Sequence, residues 1–211
     1  MLYPHVIFDL DGTLIDSSES IFESFRAVFP ASGLSPVMPF TSDLIGPSLM
    51  ETLKLLTGTK DENVLRALAE AFKTHYDNKG YKTTAVFFGI NELLVGLKSN
   101  GAKMYIATNK RISPTQKIVD LFKWNNYFEG VYALDTFSPP AQSKQELLKK
   151  IIKKHKFEND KIVYIGDRKE DGLSAEGNNI PFIKANWGYD PTPMSGHKIA
   201  MSPADLYIIL T

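Results

Sequence analysis

Five short apolar runs stand out along the chain: Val6-Ile7-Phe8, Met104-Tyr105-Ile106-Ala107, Val131-Tyr132-Ala133-Leu134, Ile162-Val163-Tyr164-Ile165 and Phe182-Ile183-Lys184-Ala185. Their hydrophobicity is continuous rather than alternating, which is the pattern of strands covered on both faces. Between them, apolar positions recur at helical spacing over Glu92–Leu97, Pro114–Phe122 and Glu146–His155. Alternating strands and helices predict an α/β fold around a parallel sheet. Near the end, Ser202-Pro203 reads as an N-cap followed by a first-turn proline, opening a short helix through Ile209.

One interval breaks the rhythm. The stretch from Asp9 to Thr108 is far longer than the roughly 30 residues that a strand–helix–strand unit needs. Ile21, Phe22, Phe25 and Val28 form one apolar stripe there, and Leu65, Leu68, Ala69, Phe72 and Tyr76 form another. The surplus therefore predicts a helical subdomain over 17–84, inserted into an α/β core made of 1–16 and 85–211.

Composition narrows the field. With 24 basic and 24 acidic residues among 211, the net charge is zero, which argues against bulk attraction to nucleic acid or to a membrane surface. The absence of cysteine excludes disulfides, zinc–thiolate sites and cysteine nucleophiles. No run approaches the roughly 18 apolar residues of a bilayer span, and Asp9 and Asp11 interrupt the first apolar stretch, so a cytoplasmic address is expected. Lys149, Lys150, Lys153, Lys154 and Lys156 share a segment with Leu147, Leu148, Ile151 and Ile152. They read as the solvated face of an amphipathic helix rather than a nucleic-acid patch. His5, His75, His155 and His197 form no ligand motif.

The strongest chemical signal is Asp9-Leu10-Asp11-Gly12-Thr13, directly after the first strand. In an open parallel sheet, ligands sit beyond the carboxyl ends of the strands, so both aspartates fall where a site belongs. Two carboxylates this close repel unless a cation joins them or one is protonated. Turn chemistry alone also uses Asp and Gly. Gly166-Asp167, with Asp171 beyond, closes another strand and adds carboxylates at the same edge, although an N-cap role would also explain Asp171. Such a cluster favours a hard, oxygen-liganded ion such as Mg²⁺. Thr108-Asn109 ends the Met104 strand with a hydroxyl and an amide that could hydrogen-bond a phosphoryl oxygen. Lys144, at the start of a helix, could neutralise a phosphate or could be an ordinary solvated lysine.

Taken in order, Asp9-Leu10-Asp11-Gly12-Thr13-Leu14, Ala107-Thr108-Asn109-Lys110, Lys144 and Gly166-Asp167-Arg168-Lys169-Glu170-Asp171 resemble the four motifs of the haloacid dehalogenase superfamily. The resemblance covers nearly the whole chain and is nearest to the phosphoglycolate-phosphatase-like branch. Ile45-Gly46-Pro47 resembles a glycine-containing turn of such caps, and Trp187-Gly188-Tyr189 follows the last strand as in relatives. The resemblance implies a doubly wound, Rossmann-like parallel sheet with an inserted α-helical cap. It also implies a phosphatase that takes phosphate from a small phosphorylated metabolite with Mg²⁺. Asp9 would be the nucleophile, and Asp11 the acid that protonates the leaving oxygen and then activates water. Thr108, Asn109 and Lys144 would hold and screen the phosphoryl group. Asp9, the Asp11 carbonyl and Asp167 would bind the metal, with Asp171 as a further ligand or anchor behind it. A phosphomutase or phosphotransferase on the same scaffold, or a binding protein with a decayed site, are the alternatives. Gln145 after Lys144, Phe87-Phe88-Gly89 and Asp190 depart from the family's pattern. Substrate and oligomeric state stay open.

Overall fold

The computed structural model describes residues 2–190, 192 and 194–211, and the chain divides into two compact units. One runs to Asp16 and resumes at Val86; the other is Ser17–Ala85. The first unit is built on six strands: β1 (His5–Phe8), β2 (Lys103–Thr108), β3 (Phe128–Ala133), β4 (Ile162–Gly166), β5 (Phe182–Ala185) and β6 (Lys198–Ala200). They lie side by side in the order β3-β2-β1-β4-β5-β6, and every neighbouring pair is parallel. This is the order of a doubly wound, Rossmann-like sheet. Val6, Ile7 and Phe8 are fully buried, as are Ile162–Ile165, which is why these runs carry no polar alternation. From β1 the chain builds outward through β2 and β3, then returns to the other side of β1 as β4. The crevice beyond β1 and β4 is therefore the topological switch point, where such sheets take their ligands.

Two strands differ from the sequence reading. β3 begins at Phe128 rather than Val131, and Leu134 leaves it to open the 3-10 turn Leu134–Thr136. A bulge in β3 at Glu129, opposite Met104 and Tyr105, lets both Phe128 and Gly130 join the ladder. β6 was not predicted: it has three residues, and only Ala200 is buried, too little apolar pattern to stand out from a loop.

The Ser17–Ala85 unit contains α1 (Ser18–Ala31), α2 (Leu49–Thr57) and α3 (Glu62–Asn78). The two stripes read from sequence close on each other: Phe25, Val28 and Phe29 of α1 share a core with Leu65, Leu68, Ala69, Phe72 and Tyr76 of α3, joined by Leu53 and Leu56. Phe25 and Phe72 meet with ring centroids 4.5 Å apart. Local chemistry sets the helix ends. Ser48 and Glu51 form a capping box at the start of α2, and Asp61 Oδ1 accepts the Asn63 amide at the start of α3.

In the first unit, α4 (Ile90–Ser99), α5 (Ile112–Leu121), α6 (Lys144–His155), α7 (Lys169–Glu176) and α8 (Pro203–Leu210) complete the fold. Leu147, Leu148 and Ile151 of α6 and Ala175 of α7 bury against Ile7, Ile162 and Tyr164 of the sheet. The Ser202 hydroxyl caps α8 through the Asp205 amide, with Pro203 in the first turn. No helix among the described residues is long and apolar enough to cross a membrane.

Candidate active site

Asp9 follows β1 directly, and its amide still donates to Ile165 O of β4 at 2.8 Å, so its carboxylate is fixed at the switch point. The chain then turns sharply at Gly12, whose φ of +86° suits glycine. A Cβ there would strike the Asp167 carboxylate. Gly188 closes the other side, since a Cβ on it would overlap Asp167 and the Gly12 carbonyl. The two glycines leave Asp167 just enough room.

The carboxylates of Asp9, Asp167 and Asp171 converge, each offering an oxygen within 4.8 Å of the others, and all three residues are buried. Lys144 enters from the first turn of α6. A cation at a helix N-terminus opposes the helix dipole, so its position there makes sense only through what its side chain reaches. The Lys144 ammonium donates to Asp9 Oδ1 at 2.6 Å, to the Tyr164 hydroxyl at 3.0 Å and to Asp171 Oδ1 at 3.2 Å. Those contacts use its three N–H groups. Asp171 accepts further bonds from the Tyr164 hydroxyl at 2.9 Å and the Arg168 amide at 3.1 Å. It sits at the third position of α7, not at the N-cap that the sequence also allowed. Asp167 accepts the Tyr189 amide at 2.8 Å and, more loosely, the Thr13 hydroxyl at 3.4 Å.

The Asp11 carboxylate stands apart from this convergence and pairs with Lys110 Nζ at 3.0 Å. Among the described residues the cluster of carboxylate side chains thus has three members, Asp9, Asp167 and Asp171. Thr108 is buried at the end of β2, its hydroxyl accepting the Lys110 amide at 3.1 Å, while Asn109 beside it is exposed. Two residues were not singled out from sequence. Tyr164 looked like one more apolar strand residue, yet a buried phenol must find a polar partner. Lys110 lay inside a motif with no role, and only folding reveals its reach to Asp11.

Electrostatics follow from burial. Burial raises Asp9 to about 8; Lys144 opposes the rise, and Asp171 and Asp167 add to it. Asp167 is raised to about 7 by burial and by Asp171, with the Tyr189 amide opposing. Burial pulls Lys144 down, but Asp171 and Asp9 more than offset this, so it stays an ammonium. Tyr164 is pushed well above its ordinary value by burial and by Asp171 and Asp9, so it stays a neutral phenol. Three carboxylates and one ammonium leave a surplus of two negative charges when all are ionised. The donor set is all oxygen, without histidine or cysteine, and fits a hard divalent cation.

Residues 6–185 match the family described as haloacid dehalogenase-like hydrolase, and the chain belongs to it. Among individual proteins, it is 30% identical over 186 residues to the tyrosine-protein kinase PtkA of Mycobacterium tuberculosis, spanning 87% of this chain and 62% of PtkA. The chain thus spans about three fifths of that relative's length. The solved structure of PtkA superposes with a TM-score of 0.82 at 27% identity, covering 99% of this chain and 98% of that one. A 5'-nucleotidase of Pseudomonas aeruginosa is 28% identical, over 89% of this chain and 84% of its own. A phosphoglycolate phosphatase of Agrobacterium fabrum is also 28% identical, over 92% and 84%.

Proposed function

We propose that the protein is a Mg²⁺-dependent phosphatase that hydrolyses a small phosphomonoester through an aspartyl-phosphate on Asp9. One observation carries the reading: Asp9 is buried against Lys144 while two more carboxylates converge on it. Two of the relatives bear names of phosphomonoester hydrolases. In this reading an Asp9 oxygen bonds to phosphorus as the P–O bond to the leaving alcohol breaks, and Asp11 gives that oxygen its proton. Water then attacks phosphorus, loses a proton to Asp11, and the Asp9–phosphate bond breaks to release inorganic phosphate. A carboxylate nucleophile divides hydrolysis into two easier steps, and a positioned acid contributes about 10²–10⁴-fold.

Lys144 screens the charge between Asp9 and the phosphoryl group, and the Thr108 hydroxyl steadies a phosphoryl oxygen, with Asn109 at the open side. Asp9, Asp167 and the main-chain carbonyl of Asp11 would hold Mg²⁺. Asp171, already accepting from Lys144, Tyr164 and Arg168, serves as an anchor for Lys144 instead. When bound, the ion supplies neutralising charge to the phosphoryl oxygens. The Ser17–Ala85 unit acts as a cap that selects the substrate, and the protein works in the cytoplasm. The test uses the full chain with Mg²⁺ and an aryl phosphate: phosphate is released, release stops on chelation, and Asp9→Asn abolishes it. Silence of the wild type across a broad phosphomonoester panel would overturn the reading.

The kinase name of PtkA favours a second reading, in which a hydroxyl other than water takes the phosphoryl group from Asp9. A phosphoenzyme that persists in water and discharges only when a hydroxyl acceptor is added would select it.

A further inference from the structure

Lys184 is a buried cation that the proposed chemistry does not use. It lies in β5 with no solvent exposure, beside Gly166 of β4 in the ladder. Its ammonium donates to the Thr192 carbonyl, the one hydrogen-bond partner found for it among the described residues. A charge is withdrawn from water for a backbone carbonyl, an expensive arrangement that a methionine of similar volume would avoid. What the arrangement fixes is the stretch that follows β5. Asn186 donates its amide to Ala200 O at 2.9 Å, and Trp187 Nε1 donates to Thr13 O at 2.9 Å. Tyr189 then gives its amide to Asp167 Oδ2 and its hydroxyl to Asp16 Oδ1 at 3.0 Å. On the return arm, Asp190 accepts the Thr192 amide at 2.9 Å and the Lys169 amide at 3.3 Å. Burial raises the Asp190 carboxyl, but the bonds from Thr192, with the charge of Lys184 adding to them, hold it below its usual range. Asp190 is one of the positions at which the sequence departs from its family's pattern, and Lys184 lies within reach of its field.

We infer that Lys184 is a positioning residue: it pins the return arm of the loop at Thr192, and so holds the Tyr189 amide against Asp167 at the cation site. The inference rests on the proposed Mg²⁺ site for its consequence, but not for its geometry. Partners behind a metal ligand fix its orientation, and losing one weakens metal binding by about 10–100-fold.

The experiment compares wild type with Lys184→Met in the full chain. Calorimetric titration with Mg²⁺ alone should show binding at least about tenfold weaker in the variant. The melting temperature should stay level or rise, because an apolar side chain replaces a buried charge. Amide exchange followed by NMR, without metal, should show Tyr189 exchanging faster while Ile7 and Tyr164 in the sheet keep their protection. Unchanged Tyr189 exchange would overturn the inference, and so would a parallel loss of protection at Tyr189, Ile7 and Tyr164 with a lower melting temperature, which would make Lys184 a general fold stabiliser. A wild type that binds no Mg²⁺ would sink the cation reading instead, and Tyr189 exchange would still decide the role of Lys184.

Discussion

At the carboxyl ends of β1 and β4, three aspartates converge, and Lys144 bonds two of them, Asp9 and Asp171. At the amino end of β1, His5 lies against Phe157 with ring centroids 4.4 Å apart, and Phe157 stacks on His155 at 4.9 Å. Both ends of the sheet bury titratable groups and favour their neutral forms, but only one end gathers carboxylates that a cation could join. At the amino end burial lowers both histidines, assisted by Lys103 beside His5 and by Lys154 beside His155, so they pack as neutral rings. At the other end burial raises Asp9 and Asp167, so near neutral pH these carboxyls hold protons that an arriving cation would displace. An ordinary core neutralises a lone group and leaves it so; a site gathers several groups of one sign whose protons its ligand can replace. The contrast separates structural burial from functional burial within one sheet.

The deepest cut at this comparison is Asp9→Asn, which should lower phosphate release by about 10⁴-fold or more, since it removes the proposed nucleophile. Next, Lys144→Met takes the only ammonium out of the cluster. Without metal near pH 8, it should cost about 3–5 kcal/mol in denaturant unfolding, the usual effect of stripping one partner from a buried ion pair. The loss should shrink near pH 6, where Asp9 and Asp167 hold protons.

The third test is the slope of stability with pH in the metal-free protein. Asp9 and Asp167 have raised values, so the folded chain holds protons there that the unfolded chain has already released above about pH 4. Their contribution to stability is therefore lost as pH rises through about 7 to 8. The histidines have lowered values, so the unfolded chain takes up protons first, and their contribution is lost as pH falls below 6.5. Saturating Mg²⁺ should abolish the first slope and leave the second. Titration calorimetry should accordingly show Mg²⁺ affinity falling about tenfold per pH unit below 7 for each proton displaced. The smallest effect is expected at the amino end. His5 Nδ1 is buried with no hydrogen-bond partner among the described residues. His5→Phe should therefore gain about 1 kcal/mol and flatten the acid limb in thermal melts, with no change in Mg²⁺ affinity.

How much of this was legible before folding depends on the range of the interaction. Continuous apolar runs located five of the six strands, because complete burial leaves a pattern in composition. Asp9, Asp11 and Asp167 stood out because each lies within three residues of the end of such a run. Lys144 and Asp9 are far apart in sequence, and nothing local distinguished that lysine from a solvated one except its unfavourable place at a helix start. Tyr164 was hidden by its own strand, whose apolar neighbours mask the one hydroxyl. Lys110 and Lys184 show their roles only through partners that tertiary structure supplies, Asp11 and the Thr192 carbonyl. Lys184 in particular lay inside a run read as uniformly apolar.

The placement of β1 also shapes how the molecule is made. It occupies the middle of the sheet, with His5 registered against Lys103 on one side and Ile162 on the other. On a ribosome adding about 5–20 residues per second, this central strand therefore waits several seconds for its first neighbour and longer for its second. The Ser17–Ala85 segment, which encloses a core of its own, emerges during that pause and can collapse first. The strand that leads to Asp9 is thus translated before both of its sheet neighbours yet seated only once they have emerged.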